Sequence, residues 1–153
     1  MHVDIREATE FDLVWMLDAA ENIIDETSYD LTFNRDHARD HLRHYVSGTP
    51  GWIALLAETE SEVVGGVLMA ESLEFHDTPL LYVTKFWVLP SGRRTRAARS
   101  LLEGVGNYAE ERNCTHIFAT ATAGLDAREQ RLFVNLLTRS GFRDTGPVMM
   151  KEM

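Results

Sequence analysis

Residues Phe86 to Leu102 read FWVLPSGRRTRAARSLL. A β-prone run ends at Pro90, and a short loop through Ser91 and Gly92 opens into a helical repeat. Ala98, Leu101, Leu102, Val105 and Ala109 recur at helical spacing and predict a long amphipathic helix ending near Asn113. Arg93, Arg94, Arg96 and Arg99 crowd the joint, with the small residues Thr95, Ala97 and Ala98 among them. A helix start leaves about four N–H groups without intrahelical partners. It also lies at the positive end of the helix dipole. Small side chains let an anion approach those N–H groups, so the stretch suits a phosphate or pyrophosphate. A solvated helix face also collects arginines, but four packed so closely repel one another without a counterion, which weighs toward the anion.

Upstream, Val3–Ala8 predicts a short strand, and Thr9 reads as the N-cap of a helix carrying Leu13, Met16, Leu17, Ala20 and Ile24. A second helix follows Asn34 through Ala38, Leu42, Tyr45 and Val46, and Gly48 and Pro50 stop it. Trp52–Glu58 and Val63–Glu71, joined by Thr59–Glu62, read as a hairpin, and Leu80–Leu89 extends it to a meander. Downstream, His116–Thr122 reads as a strand. Leu132, Phe133, Leu136 and Leu137 mark a last helix with Gly141 as its C-cap glycine, and Pro147–Lys151 a final edge strand. The order β-α-α-β-β-β-α-β-α-β predicts an α/β (α+β) fold, a mixed central sheet flanked by helices. With 153 residues and no linker, the reading is one domain over residues 1–153.

Composition narrows the function. A net charge of −9 argues against nonspecific nucleic-acid coating and anionic membranes, and mildly favours a cationic or neutral small substrate. The single cysteine, Cys114, excludes an internal disulfide framework and a thiolate zinc cluster. No apolar run reaches the ~18–20 residues of a bilayer span. No basic segment leads into an apolar one at the start, so the expected setting is a reducing cytoplasm.

The strand end Val88-Leu89-Pro90 and the loop Arg93-Arg94-Thr95-Arg96-Ala97-Ala98 resemble the GNAT superfamily of acetyl-CoA-dependent N-acyltransferases. Their loop carries Arg or Gln, two variable residues, Gly, one variable residue, then Gly or Ala. Arg93 matches the first position and Ala98 the last, while Arg96 replaces the central glycine. The element order and Ser140-Gly141-Phe142 after the last helix extend the resemblance over nearly the whole chain. It implies acetyl-CoA as cosubstrate, no metal, and an amine acceptor attacked directly. Phe86, Trp87 and Val88 would bind the pantetheine arm through their backbone, with Val88 N–H as the favoured oxyanion donor. The N–H groups around Arg94, Thr95, Arg96, Ala97 and Ala98 would hold the pyrophosphate. Arg93, Arg94 and Arg99 would contact phosphates, the 3′-phosphate included. Members often dimerise, so a homodimer is among the expectations.

The catalytic pattern departs from the family. Many members place a Tyr five residues before the Phe of the Gly-Phe pair; here that position is Leu137, which donates no proton. The frequent Asn seven residues earlier aligns with Gln130, which can still hydrogen-bond the arm. A base is often a carboxylate on the central strands. The stretch offers Tyr82 and Glu71, with Glu74, His76 and Asp77 nearby; a packed aromatic and solvated carboxylates are the plainer readings. The missing tyrosine and Arg96 keep a second hypothesis open, a catalytically inactive protein of this fold that binds acyl-CoA or a protein partner. A third makes the arginines a nucleic-acid patch.

Other groups read more plainly. His37, His41, His44 and Asp40 share a helix side but are flanked by Arg39 and Arg43, so a solvated polar face outweighs a metal site. Gly65-Gly66 marks a bulge or close packing. Cys114 reads as a buried small residue. Asp25, Glu26 and Asp30 form a charged loop able to attract a cationic amine.

Overall fold

The computed structural model describes residues 2–26, 31–73, 77–120, 127–146, 149 and 151–153. Its 5-stranded sheet runs in the order β1 (Asp4–Glu7), β2 (Trp52–Glu58), β3 (Val63–Ser72), β4 (Leu80–Val88), β5 (Ile117–Ala119). The first three pairings are antiparallel and the β4–β5 pairing is parallel. Parallel neighbours need a crossover, and α3 (Ala97–Glu111) supplies it. The other helices are α1 (Leu13–Glu26), α2 (Arg35–Val46) and α4 (Ala127–Arg139).

Local chemistry sets the boundaries. The Asp12 carboxylate accepts from Thr9 N–H at 2.8 Å and from both terminal nitrogens of Arg6 at 2.9 Å, fixing the short turn that leads into α1. Asn34 Oδ1 accepts from His37 N–H at 3.0 Å and starts α2. Gly141, at φ +92°, ends α4 as expected, and Phe142 N–H returns to the Leu137 carbonyl at 3.0 Å.

The sheet buries both faces. On one, Leu55, Val67, Met69, Leu81 and Val83 pack against Ala97, Leu101, Val105 and Ala109 of α3. On the other, Ala54, Leu56 and Leu68 pack against Met16 and Leu17 of α1 and Leu42 and Tyr45 of α2. The Gly65-Gly66 pair reflects close packing. A Cβ on Gly66 would lie 2.5 Å from the Trp87 ring, and one on Gly65 would lie 2.8 Å from the Trp87 carbonyl oxygen. The strand predicted over His116–Thr122 is shorter, and Thr122 lies outside the described residues. So do Pro147, Val148 and Met150 of the predicted final strand.

Candidate functional site

β4 changes partners along its length. Leu81, Tyr82 and Val83 pair with Ile117, Phe118 and Ala119 of β5, and the pairing stops there. Between Val83 and Lys85 the register against β3 shifts by one residue, so Thr84 bulges. Beyond the bulge β4 keeps β3 on one side and, among the described residues, has no β5 partner on the other. Leu89 N–H bonds the Val64 carbonyl of β3 at 2.8 Å. Backbone groups in a strand alternate sides, so Val88 and Phe86 direct N–H and C=O to the open edge while Trp87 turns toward β3. The sequence reading assigned all three to the pantetheine arm; the ladder removes the Trp87 backbone from that set and leaves Phe86 and Val88. The Val88 carbonyl accepts from Arg93 Nε at 3.4 Å on that edge.

The turn that follows is seated by Gly92, which is buried against Val64 and Val88. Thr95 closes it, its N–H and Oγ1 donating to the Gly92 carbonyl at 3.0 and 2.7 Å while Oγ1 accepts from Ala97 N–H at 3.1 Å. Thr95 and Ala97 therefore have their N–H groups occupied. Those of Arg94, Arg96, Ala98 and Arg99 donate to no protein acceptor among the described residues. Arg96 is the N-cap of α3 at φ −82° and ψ 6°, in the bridge region on the negative-φ side that non-glycine residues occupy, so an arginine replaces the motif glycine without needing a positive φ and keeps its N–H.

The arginine side chains differ. Arg93 reaches Glu26, at the end of α1, at 3.5 Å. Arg99 pairs along α3 with Glu103 at 3.1 Å, an exposed pair worth at most about 1 kcal/mol and easily exchanged. Arg94 and Arg96 are exposed and make no ion pair among the described residues. Gln130 lies on α4 beside Arg131 and Val134 along an open groove. Phe133 of α4 stacks on Phe86 with ring centroids 5.0 Å apart, which places α4 over the open segment on the α3 side of the sheet. Leu137, where the family often has Tyr, is buried.

Glu71 does not join this group. It pairs with Leu81 on β4, whereas Val88 pairs with Gly65. Six strand residues separate Glu71 from Gly65, about 20 Å. Its carboxylate lies on the α3 face, accepting from Arg112 Nε at 2.8 Å and Tyr108 Oη at 2.9 Å. Arg112 chiefly, with Tyr108, holds it below the usual carboxylate range, and burial opposes them. Burial and the Glu71 carboxylate push Tyr108 up to about 12. Glu71, expected as a base candidate, here fastens the end of β3 to the end of α3. Tyr82 stands on the opposite face, 40% exposed and stacked on Phe118 at 5.3 Å.

Two of the α2 histidines pack on an aromatic ring, while His37 is exposed. His41 and His44 lie 5.7 and 5.2 Å from the Trp52 ring. Sequence reasoning passed over the Thr84 bulge, Gly92, Phe133 and Lys85. The three small or apolar residues follow from packing, and the tripeptide Thr84-Lys85-Phe86 carries no mark of a bulge.

A sequence model of the acetyltransferase (GNAT) family matches residues 16–136. The chain belongs to that family. No curated protein sequence matches it. Among solved structures, this GNAT chain is similar to the aminoglycoside N-acetyltransferase AAC(6')-Iy in complex with a CoA-S-monomethyl-acetylneamine bisubstrate analogue. The TM-score is 0.76 at 15% identity, covering 100% of this chain and 99% of that one. It is also similar to an aminoglycoside acetyltransferase from an uncultured soil metagenomic sample, with TM-score 0.74, 21% identity and coverage of 100% and 99%. A third is a predicted acetyltransferase with acetyl-CoA from Clostridium acetobutylicum, with TM-score 0.75, 18% identity and coverage of 99% and 96%. These likenesses carry the fold, and the α+β GNAT arrangement expected from the sequence is the one observed. Among the described residues no helix is long and apolar enough to cross a membrane.

Proposed function

We propose that this GNAT protein is an N-acetyltransferase that moves the acetyl group of acetyl-CoA to a primary amine by direct attack. The observation that carries the reading is the row of unpaired N–H groups at Arg94, Arg96, Ala98 and Arg99, continuous with the open edge at Val88 and Phe86. A diphosphate satisfies such N–H groups at a helix start. An extended amide-bearing arm satisfies an open strand edge. The donor set therefore fits CoA. Arg94 and Arg96 are the free cations for its phosphates, joined by Arg99 once it leaves Glu103. A well-formed charge-assisted bond contributes roughly 1.5–3 kcal/mol. Gln130 supports the arm from α4.

Acetyl-CoA supplies an activated acyl group as a thioester. The chain supplies donors for the carbonyl oxygen as it gains charge. Val88 N–H is the favoured one, and Phe86 N–H, two residues or roughly 6.6 Å away along the strand, is left for the pantetheine arm. One well-aimed donor is worth about 3–4 kcal/mol in the barrier. The acceptor enters as an alkyl ammonium of pKa ~10 and must lose a proton before attack. With Glu71 held by Arg112 and Leu137 buried, water carries that proton and the departing thiolate is protonated from solvent. The neighbours described as aminoglycoside acetyltransferases support amine acetylation as the reaction class.

The test is a thermal-shift comparison of CoA with dephospho-CoA, joined to a thiol-release assay over an amine panel. The expected result is stabilisation by both, larger for CoA, and thiol release with at least one amine. No shift with either nucleotide removes the site. A shift without thiol release favours the inactive binder, which the buried Leu137 keeps in view.

A further inference from the structure

The four arginines of the anion turn do not all face it. Arg94 and Arg96 are exposed without an ion pair among the described residues, and Arg99 pairs along its own helix. Arg93 turns the other way. Its backbone closes the turn at Pro90–Gly92, its N–H donating to the Pro90 carbonyl at 3.3 Å. Its side chain folds back onto β4, where Nε donates to the Val88 carbonyl at 3.4 Å, and a terminal nitrogen reaches the Glu26 carboxylate of α1 at 3.5 Å. One planar guanidinium makes both contacts, so it lies against the open edge at Val88, between that edge and the end of α1. Resting on the CoA reading above, we propose that Arg93 is a removable stopper: held by Glu26, it competes with the pantetheine arm for the Val88 edge, and the arm must displace it to bind.

The two occupants exclude each other. An extended amide-bearing arm pairs with an open strand edge residue by residue, and the guanidinium stands on that track at Val88. The Val88 carbonyl has a second lone pair, but the space beside it is taken. Glu26 sets how firmly. It ends α1, whose last turn carries no basic residue, and the negative end of the helix dipole adds to its pull on a cation. The other acids of α1 are placed differently. Asp18 and Glu21 pair with Arg35 of α2 at 2.9 and 3.6 Å, and Asp25, beside Glu26 in the chain, is exposed and makes no ion pair among the described residues. Both Arg93 contacts are long and exposed, so the stopper yields to a ligand rather than sealing the edge. An exposed pair of this kind shifts an equilibrium about fivefold at most. The motif position of Arg93 implies a phosphate contact. Its geometry makes it a competitor of the arm, and the two roles predict opposite effects when it is removed.

Pantetheine is the probe, because it carries the arm without phosphates and is uncharged. Its affinity for the full chain is measured by NMR titration, beside calorimetry with CoA. Arg93→Ala should tighten pantetheine binding about three- to fivefold, and Glu26→Gln, which keeps the guanidinium but loosens its hold, about twofold. Asp25→Asn removes the same charge one residue away and should leave pantetheine binding unchanged. Raising the ionic strength screens the exposed pair, so it should tighten pantetheine on wild type and not on Arg93→Ala. All three substitutions fall on exposed side chains, and melting curves check that each variant is folded. Weaker pantetheine binding to Arg93→Ala overturns the proposal. So does an effect of Asp25→Asn as large as that of Glu26→Gln, which would show that no specific pair holds the guanidinium. CoA binding with pantetheine indifferent to Arg93, bound or not, overturns this proposal alone. A wild type that binds neither CoA nor pantetheine overturns the CoA reading with it.

Discussion

Gly92 links the fold to the anion turn, and replacing it with alanine tests that link. A Cβ there would lie 2.8 Å from Val64 Cβ, 2.9 Å from the Val64 carbonyl oxygen and 2.9 Å from Val88 Cγ1. Carbon contacts relax at about 3.5–4.0 Å, so the methyl needs roughly 0.6–1 Å of room. Val64 is buried in β3 at the bulge against β2, and its carbonyl is already bound by Leu89 N–H. β3 cannot yield cheaply, so the turn must lift. Overpacking of this kind costs about 1–3 kcal/mol. At about 2–4 °C per kcal/mol for a chain of this size, the melting temperature should fall by about 2–12 °C. Marginal stability of about 5–15 kcal/mol leaves the variant folded at 25 °C. The functional effect is separate. A turn raised by a few tenths of an ångström misaims the N–H groups of Arg94, Arg96 and Ala98 together, and losing about 1.4 kcal/mol across them is tenfold in affinity. Calorimetric titration with CoA at 25 °C reads that loss, and a melting curve without nucleotide reads the first. Unchanged CoA affinity in a Gly92→Ala protein that has lost stability would refute the coupling; an unchanged melting temperature would refute the seating itself.

Gly106→Ala is the opposite control. Nothing lies within 4 Å of its Cβ position in the interior of α3, so alanine should raise stability by about 0.5–1 kcal/mol and leave CoA binding unchanged in the same titration. Val88→Pro deletes one N–H on the open edge and leaves the ladder bonds to β3, and kcat/KM in the thiol-release assay should fall about 100- to 1,000-fold. Because the Val88 side chain packs toward α3 and Gly92, the melting temperature should fall as well, and Val88→Ala, which keeps the N–H, separates the packing loss from the donor loss. Arg94→Ala and Arg96→Ala should each weaken CoA binding about tenfold, and the variant that loses a 3′-phosphate contact should bind CoA and dephospho-CoA alike. Glu71 has a folded pKa depressed below its ordinary 4.5, chiefly by Arg112. Its contribution is full above that value and lost as pH falls through the lower folded value. Glu71→Gln should therefore flatten the acid limb of melting temperature against pH below about 4.5, while leaving turnover near neutral pH close to wild type because the carboxylate lies far from Val88.

The sheet was legible because each face signals itself. Val67 and Met69 point to α3 while Leu68 points to α1 and α2, so β3 reads as one apolar run buried on both sides. The helix caps were legible because Asn34 and Gly141 each do a job that few residues do well. Strand ends were less so. His116–Thr122 is β-prone throughout, yet the described pairing with β4 covers only Ile117–Ala119, up to the bulge at Thr84, and Ala121 and Thr122 lie outside the described residues. The surroundings of Glu71 were hidden for a related reason. Sequence position put it on a central strand, but its distance along the strand and its face are fixed by register, and its partners Tyr108 and Arg112 lie 37 and 41 residues away.

The departures from the family pattern carry less weight once the backbone is considered. A glycine matters where φ is positive or where a Cβ would collide. Arg96 meets the first test with φ −82°, and its exposed side chain meets the second. What the anion needs from that position is an N–H, which every residue but proline provides. The same holds at Phe86 and Val88, whose side chains pack toward α3 while their amides face the open edge. A site built from main-chain donors leaves few marks in side-chain identity. Its sequence signature is the geometry-setting residues around it: the turn glycine Gly92, the closing threonine Thr95 and the small Ala97, which is buried. Side chains on the exposed face of β4 are the reverse case. Which face Tyr82 and Lys85 occupy depends on pairing, and one bulged residue at Thr84 resets that face for everything after it.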